Sequence, residues 1–144
     1  MRIKQAIATV ATAAGVSTAV TMTGMVFIFF EFVHHPTVFI TVFSAAVTLA
    51  QFAYMLMMCA IVMLPIFGWV GRPTVRTAVI AGLATGLPGT VWALGQVYLG
   101  LTTTGLPGAI AVIAVNEGAP VAGAGIALIV WLRMASEPVK AAVV

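Results

Sequence analysis

Charged side chains are scarce in this sequence. Only 6% of its 144 residues are Asp, Glu, Lys or Arg, while 62% are hydrophobic and the mean hydropathy is +1.20. Soluble domains carry about 25% charged residues, and a soluble chain of this size still exposes a large part of its surface to water. This sequence has too few polar side chains to cover such a surface, so we expect lipid to surround most of the folded chain.

Cysteine and acidic residues are rare as well. The single cysteine, Cys59, excludes an internal disulfide and a metal site built from paired thiolates. The three acids are Glu31, Glu117 and Glu137, which lie far apart along the chain. The sequence also lacks a nucleophile elbow, a phosphate-binding loop and a metalloprotease helix. We therefore expect a protein that is not an enzyme and that has no cofactor.

Four long apolar stretches divide the chain. Crossing a hydrocarbon core about 30 Å thick takes roughly 20 helical residues. Stretches of this length predict membrane spans at 5–31, 37–66, 77–101 and 108–132, joined by short connections. We therefore predict an all-α fold, a polytopic transmembrane four-helix bundle, in which residues 1–144 form a single transmembrane domain.

The six basic residues occur in three pairs, each beside the end of an apolar stretch: Arg2 and Lys4, Arg72 and Arg76, Arg133 and Lys140. With four spans, all three pairs fall on one side of the membrane. Cytoplasmic segments carry the excess of Lys and Arg, so we expect both the N-terminus and the C-terminus to be cytoplasmic. Because the basic residues are dispersed, we expect no nucleic-acid partner. The pattern favours an integral multi-pass protein of a prokaryotic cytoplasmic (inner) membrane, with the lipid bilayer as its partner.

Helices three and four contain glycine and proline together. Pro88 follows Gly86, and Pro120 follows Gly118. Proline removes one backbone hydrogen bond from a helix, and glycine adds conformational freedom, so we expect both helices to be interrupted here. Paired interruptions of hydrophobic segments are typical of transporter binding sites. Gly82 and Gly86 also form a GxxxG pair, which permits close approach of a neighbouring helix.

Glu117 is the most informative single residue. It lies about eight residues into the fourth span, roughly 12 Å deep at 1.5 Å per residue. A charged carboxylate near the middle of a bilayer costs about 2.5–3.5 kcal/mol on insertion scales, and such an acid by default indicates a functional site. Asn116 precedes it, and Pro120 leaves the carbonyl of Asn116 without its usual helical donor. Together with Gln51, at similar depth in the second span, Glu117 and Asn116 are our candidates for an ion or proton site.

Two other interpretations of Glu117 stay open. In the first, its carboxyl is neutral and hydrogen-bonded to Gln51 or to a threonine, and the proline only bends the helix. In the second, residues 116–120 form a surface turn, and the last apolar stretch is a re-entrant pair of half-spanning helices.

One cluster has metal-ligand character: Glu31, His34 and His35, at the end of the first span. It lies at the membrane interface, where histidines are freely hydrated, and a further ligand is not evident. The sequence has 2 histidines in all, so none is left to hold a haem within the bundle. We name these three residues as metal candidates but expect no metal site.

Two functions fit this pattern. The first is a small oligomeric transporter or channel with Glu117 as its intramembrane ionisable carboxylate. The second is a non-catalytic structural or accessory subunit of a larger assembly, such as a respiratory complex, a secretion or pilus apparatus, or an enveloped virion. Four short helices enclose little volume, so in either case we expect a homo-oligomer or a larger membrane complex.

Overall fold

The computed structural model describes residues 3–32, 44–101 and 105–136, and every regular element within these ranges is helical. Span one is a single helix, Ile3–Phe32. Span two joins the α-helix Ala45–Met58, a π-helical turn Cys59–Met63 and the α-helix Leu64–Val70. Span three is Val75–Tyr98 and span four is Gly105–Ser136. The prediction of four helical spans is confirmed.

All four spans are long and apolar enough to cross a membrane. Only 28–33% of the most apolar window in each span is buried inside the bundle. Large apolar side chains such as Phe27, Ile61 and Leu87 are exposed on the outside. An apolar outer surface suits lipid and is unfavourable in water. The fold is therefore that of a multi-pass membrane protein.

The helices extend beyond several of the predicted span limits. Span two continues to Val70 because Pro65 does not end it; the predicted start of this span at 37 lies outside the described residues. In the π-helical turn, the N–H of Leu64 donates to the carbonyl of Cys59. A wider turn at this point relieves the clash that a proline ring makes with the carbonyl four residues earlier. Span four is also longer than predicted, from Gly105 to Ser136.

A tight turn connects spans two and three. Gly71 has φ +69°, in the left-handed region that glycine tolerates, and its N–H donates to the carbonyl of Phe67 (3.2 Å). Thr74 caps span three: its hydroxyl accepts from the N–H of Thr77 (3.3 Å), and the hydroxyl of Thr77 accepts from the N–H of Thr74 (3.2 Å). This reciprocal capping box satisfies two backbone donors at the start of the helix.

Several helix ends are in contact at one end of the bundle. Gln5 donates from Nε2 to the carbonyl of Trp131 (3.1 Å), and the Phe67 and Trp131 rings are 5.7 Å apart, edge to face. These contacts hold spans one, two and four together at one end. We call it the basic end, because it carries the basic residues of the described chain: Lys4, Arg72, Arg76 and Arg133.

The cluster of buried hydrophobic residues lies mainly in the half of the bundle next to the basic end. Phe67, Met63 and Cys59 of span two are buried there against Ala127 and Trp131 of span four. Span four is the central helix, because it packs along both span one and span three. Helices in lipid associate through close packing, which small residues permit.

The structure does not show the interruptions expected in helices three and four. Pro88 lies inside the continuous α-helix Val75–Tyr98, and Pro120 lies inside the continuous α-helix Gly105–Ser136, as does Gly118. One missing hydrogen bond does not end a helix whose neighbouring turns are held by packing against another span. The continuity of span four also contradicts the interpretation of the last apolar stretch as a re-entrant pair.

Candidate functional site

Spans three and four touch backbone to backbone at two glycines. A Cβ on Gly82 would lie 2.5 Å from the Cα of Val121 and 2.9 Å from the carbonyl oxygen of Pro120. A Cβ on Gly86 would meet the carbonyl oxygen of Asn116. That carbonyl is the one that Pro120 leaves without a helical donor. The GxxxG pair therefore acts as predicted, and Gly86 packs against the unpaired carbonyl.

Glu117 bridges the same two spans. Its Oε1 accepts a hydrogen bond from the hydroxyl of Thr90 (2.5 Å), and both side chains are partly buried. Its Oε2 lies beside Gly86, 2.9 Å from where a Cβ would be. The partner of the carboxyl is therefore a threonine on span three. Gly82, Gly86 and Thr90 are each four residues apart, so they share the face of span three that meets span four.

A cavity of about 650 Å³ lies between the four spans, in the half of the bundle away from the basic end. Its apolar wall includes Met25 and Ile28 of span one and Trp92 of span three. Its polar lining comes from spans two, three and four: Gln51, Tyr54, Thr85, Gln96 and Asn116. Of these, the hydroxyl of Thr85 already donates to the carbonyl of Ala81 (2.7 Å).

The path of span two makes room for the cavity. Its first helix, Ala45–Met58, packs on span one, whereas span three packs mainly on the part of span two from Cys59 to Val70. Spans two and three therefore meet near the basic end and diverge toward the other end. Trp92, at the edge of the cavity, is 70% exposed. The cavity is thus accessible from outside the bundle rather than sealed.

The structure separates the three candidate residues of the ion or proton site. Gln51 and Asn116 both line the cavity, as does Pro88. Glu117 is not among the lining residues; it lies one position further along span four, at the contact with span three. Pro120 is buried at that same contact, opposite Gly82. Gln51 and Asn116 therefore line the cavity, whereas the carboxyl of Glu117 links spans three and four beside it.

Of the three metal candidates, the part of the chain that the structure describes includes Glu31 alone. Glu31 is exposed in the last turn of span one, and His34 and His35 lie outside the described residues. Within the described ranges, no three His, Cys, Asp or Glu side chains are grouped so that they could hold a metal ion.

Sequence reasoning missed several residues of this region: Tyr54, Thr85, Thr90, Trp92 and Gln96. Thr90 could have been found, because it continues the four-residue spacing of Gly82 and Gly86. The cavity residues gave no such signal. They come together only because spans two and three diverge, which depends on the packing of the whole bundle.

A second depression, of about 510 Å³, lies on the outer surface between spans one and four. Gly118 lies in it, and nothing lies within 4 Å of where its Cβ would be. We call it the outer groove, and its lining is almost entirely small or apolar: Ala19, Val20, Thr23, Gly24, Phe27, Ala114, Val115, Gly118 and Ala119.

Comparisons with protein-family models, with curated proteins and with solved structures found no match to this chain.

Proposed function

We propose that the protein is a small, non-enzymatic membrane transporter that binds an amphipathic organic solute in the cavity and couples its movement to protonation of Glu117. The observation that carries this proposal is the cavity itself, to which all four spans contribute. Its volume of about 650 Å³ falls within the range of roughly 300–1,000 Å³ that is usual for small-molecule sites.

The lining favours a solute with both apolar and hydrogen-bonding groups. Gln51, Gln96 and Asn116 each offer an amide that can donate and accept. Trp92 and Phe29 provide aromatic surface. None of the described lining residues is charged, so the cavity does not demand an ion as its occupant.

The distribution of basic residues suggests the direction of access. If the basic end faces the cytoplasm, as the excess of Lys and Arg on that side predicts, the cavity lies in the outer half of the membrane. The divergence of spans two and three then opens it toward the outer leaflet or the external water. We propose this orientation, in a prokaryotic cytoplasmic membrane, as part of the function.

Glu117 is well placed to influence the cavity although it does not line it. It is adjacent to Asn116, which lines the cavity, so both residues belong to one turn of span four. That turn lacks one backbone hydrogen bond because of Pro120, which lowers its resistance to movement. Protonation of Glu117 would remove the charge that strengthens its bond from Thr90, and we propose that this weaker bond loosens the turn that carries Asn116.

Transport by purified protein in liposomes tests this proposal. We expect a fluorescent amphipathic dye to accumulate in response to an imposed pH gradient and to quench the fluorescence of Trp92. Glu117→Gln should keep the dye bound while losing the pH-driven accumulation, because an amide accepts from Thr90 but does not ionise. Gln51→Leu should weaken binding by roughly fivefold, the equivalent of one hydrogen bond of about 1 kcal/mol.

Thr23→Val is the matched control, because Thr23 lies in the outer groove, away from the cavity, and its hydroxyl donates within its own helix to the carbonyl of Ala19 (2.8 Å). It should behave as the unmodified protein does. Finding neither dye binding nor pH-driven accumulation across dyes of neutral and cationic charge would refute the transport proposal.

A second candidate function, as a structural or accessory subunit, is favoured by the outer groove. Its small residues suit the close approach of a helix from a second copy or from another membrane protein. In that case Gly118→Leu, which fills the groove, should abolish assembly as measured by cross-linking in membranes. Glu117→Gln should then leave assembly unchanged, because it keeps the contact with Thr90.

A further inference from the structure

Span two buries one line of side chains from the cavity toward the basic end. These residues follow one another at intervals of four, and their exposed fractions are 4%, 1%, 1% and 0%: Met55, Cys59, Met63 and Phe67. Met55 also lines the cavity. One buried face therefore continues from the cavity half of span two into the half next to the basic end.

A regular α-helix would not keep these four residues on one face. It turns by about 100° per residue, so each step of four residues moves the side chain around the helix by about 40°. Three such steps add up to about 120°, which would turn Met55 away from the face that buries Phe67. The π-helical turn Cys59–Met63 removes most of this drift, because its hydrogen bond joins residues five apart instead of four. With one residue absorbed in this way, Met55 and Phe67 are only about 20° apart.

The same turn determines which way Gln51 faces. Gln51 lines the cavity together with Met55. With one residue absorbed, it lies about 60° from Phe67 around the helix, whereas in a regular α-helix it would lie about 160° from Phe67. A side chain that far from the buried face points out of the bundle. In hydrocarbon its amide would have no water with which to form hydrogen bonds, which is unfavourable.

Pro65 favours the wide turn but does not require it. The wide turn relieves the clash between the proline ring and the carbonyl four residues earlier. Pro88 and Pro120 have the same ring, yet both lie within continuous α-helices. A proline in this bundle is thus compatible with a regular helix, so the wide turn needs a further reason. Turns of this kind are frequent at functional sites.

We propose that the π-helical turn positions Gln51 and Met55 in the wall of the cavity, by absorbing one residue that would otherwise rotate the helix Ala45–Met58. Residues 59–63 are positioning residues, because none of them lines the cavity. The proposal rests on the cavity that the proposed function uses. It concerns how the cavity wall forms, so its test needs neither a solute nor a pH gradient.

Removing one residue at the turn and adding one should have different outcomes. In a Cys59→Ala and Gln51→Cys background, deletion of Ile61 leaves a chain that forms a regular α-helix with residue 51 on the same face. Insertion of one alanine after Ile61 adds a second residue to absorb, and should rotate residue 51 by about 100°. Ile61 is 65% exposed, so its deletion removes no buried side chain, and Ile61→Ala is the matched control that keeps the chain length.

The rate at which a membrane-impermeant thiol reagent modifies residue 51 measures its orientation. We expect the deletion variant to react as fast as the Ile61→Ala control. The insertion variant should fail to assemble or should react at least about tenfold more slowly, because a thiol that faces hydrocarbon does not ionise. The near-ultraviolet circular dichroism of Trp131 should be kept in the deletion variant, because Phe67 stays in place against it.

A helix without an absorbed residue would behave differently. Deletion and insertion would then rotate residue 51 by similar angles in opposite directions, and both would slow its modification. Slow modification or misfolding of the deletion variant would therefore overturn the proposal, and so would equal rates for the deletion and insertion variants.

Discussion

Adding one methyl group at Gly86 should separate spans three and four. The Cβ of Gly86→Ala would collide with the carbonyl oxygen of Asn116 and would lie 3.2 Å from the Cα of Glu117. Both are backbone atoms, so rotation of a side chain cannot relieve the contact. Overpacking of this kind costs roughly 1–3 kcal/mol.

The intrinsic helix preference of alanine acts in the opposite direction. It favours alanine over glycine by about 1 kcal/mol within a helix. Gly95 provides the matched control, because it lies in the same helix and nothing lies within 4 Å of its Cβ position. The difference in unfolding free energy between Gly86→Ala and Gly95→Ala therefore isolates the packing term, which we expect to be about 1–3 kcal/mol.

Reversible unfolding in mixed lipid and detergent micelles, followed by circular dichroism as SDS is added, measures this difference. Gly82→Ala should behave as Gly86→Ala does, because its Cβ would lie 2.5 Å from the Cα of Val121. Equal stability of both variants and Gly95→Ala would show that spans three and four are not in backbone contact. The position of span three in the cavity wall would then be wrong.

Two further predictions concern the basic end. Phe67 is fully buried against Trp131, so Phe67→Ala should lower the unfolding free energy by about 3 kcal/mol, at the low end for a buried phenylalanine because lipid replaces water around the bundle. The near-ultraviolet circular dichroism of Trp131 should weaken with it, and an unchanged spectrum would contradict the ring contact. Gln5→Met removes the hydrogen bond to the Trp131 carbonyl and should cost about 0.6 kcal/mol, the average for such bonds between membrane helices. A loss as large as that of Phe67→Ala would show that Gln5 has a role beyond this bond.

The number of spans was predictable from the sequence because it depends on local quantities. Length and hydropathy define each span, and the placement of Arg72 and Arg76 beside Gly71 marks the turn between spans two and three. The contact at Gly82 and Gly86 was also predictable, since small residues one turn apart permit close approach of a second helix.

The shape of the helices was harder to predict. Pro88 and Pro120 suggested interruptions, yet both helices continue, because close packing at Gly82 and Gly86 holds the turns around them. The irregular turn lies instead at Cys59–Met63 in span two, ahead of Pro65. A proline signals a missing hydrogen bond but does not show which neighbouring turn will adjust.

The cavity depends on geometry that no single segment encodes. Gln51 was named from its depth in the membrane and Asn116 from its place beside Glu117 and four residues before Pro120. Neither observation determines which way a side chain faces. Asn116 lines the cavity and Glu117 does not, although they are adjacent, because successive residues in a helix point about 100° apart.

Cysteine accessibility tests the central claim most directly: four spans form a cavity that lies in the half of the bundle away from the basic end and is accessible from outside. In a Cys59→Ala background, Gln51→Cys and Met63→Cys place single thiols in the cavity and in the buried core of the same span. We predict that a membrane-impermeant thiol reagent modifies the Gln51→Cys variant rapidly when added on the side opposite the basic end, and leaves the Met63→Cys variant unmodified. Modification of both at equal rates, or of Gln51→Cys only from the side of the basic end, would contradict the account.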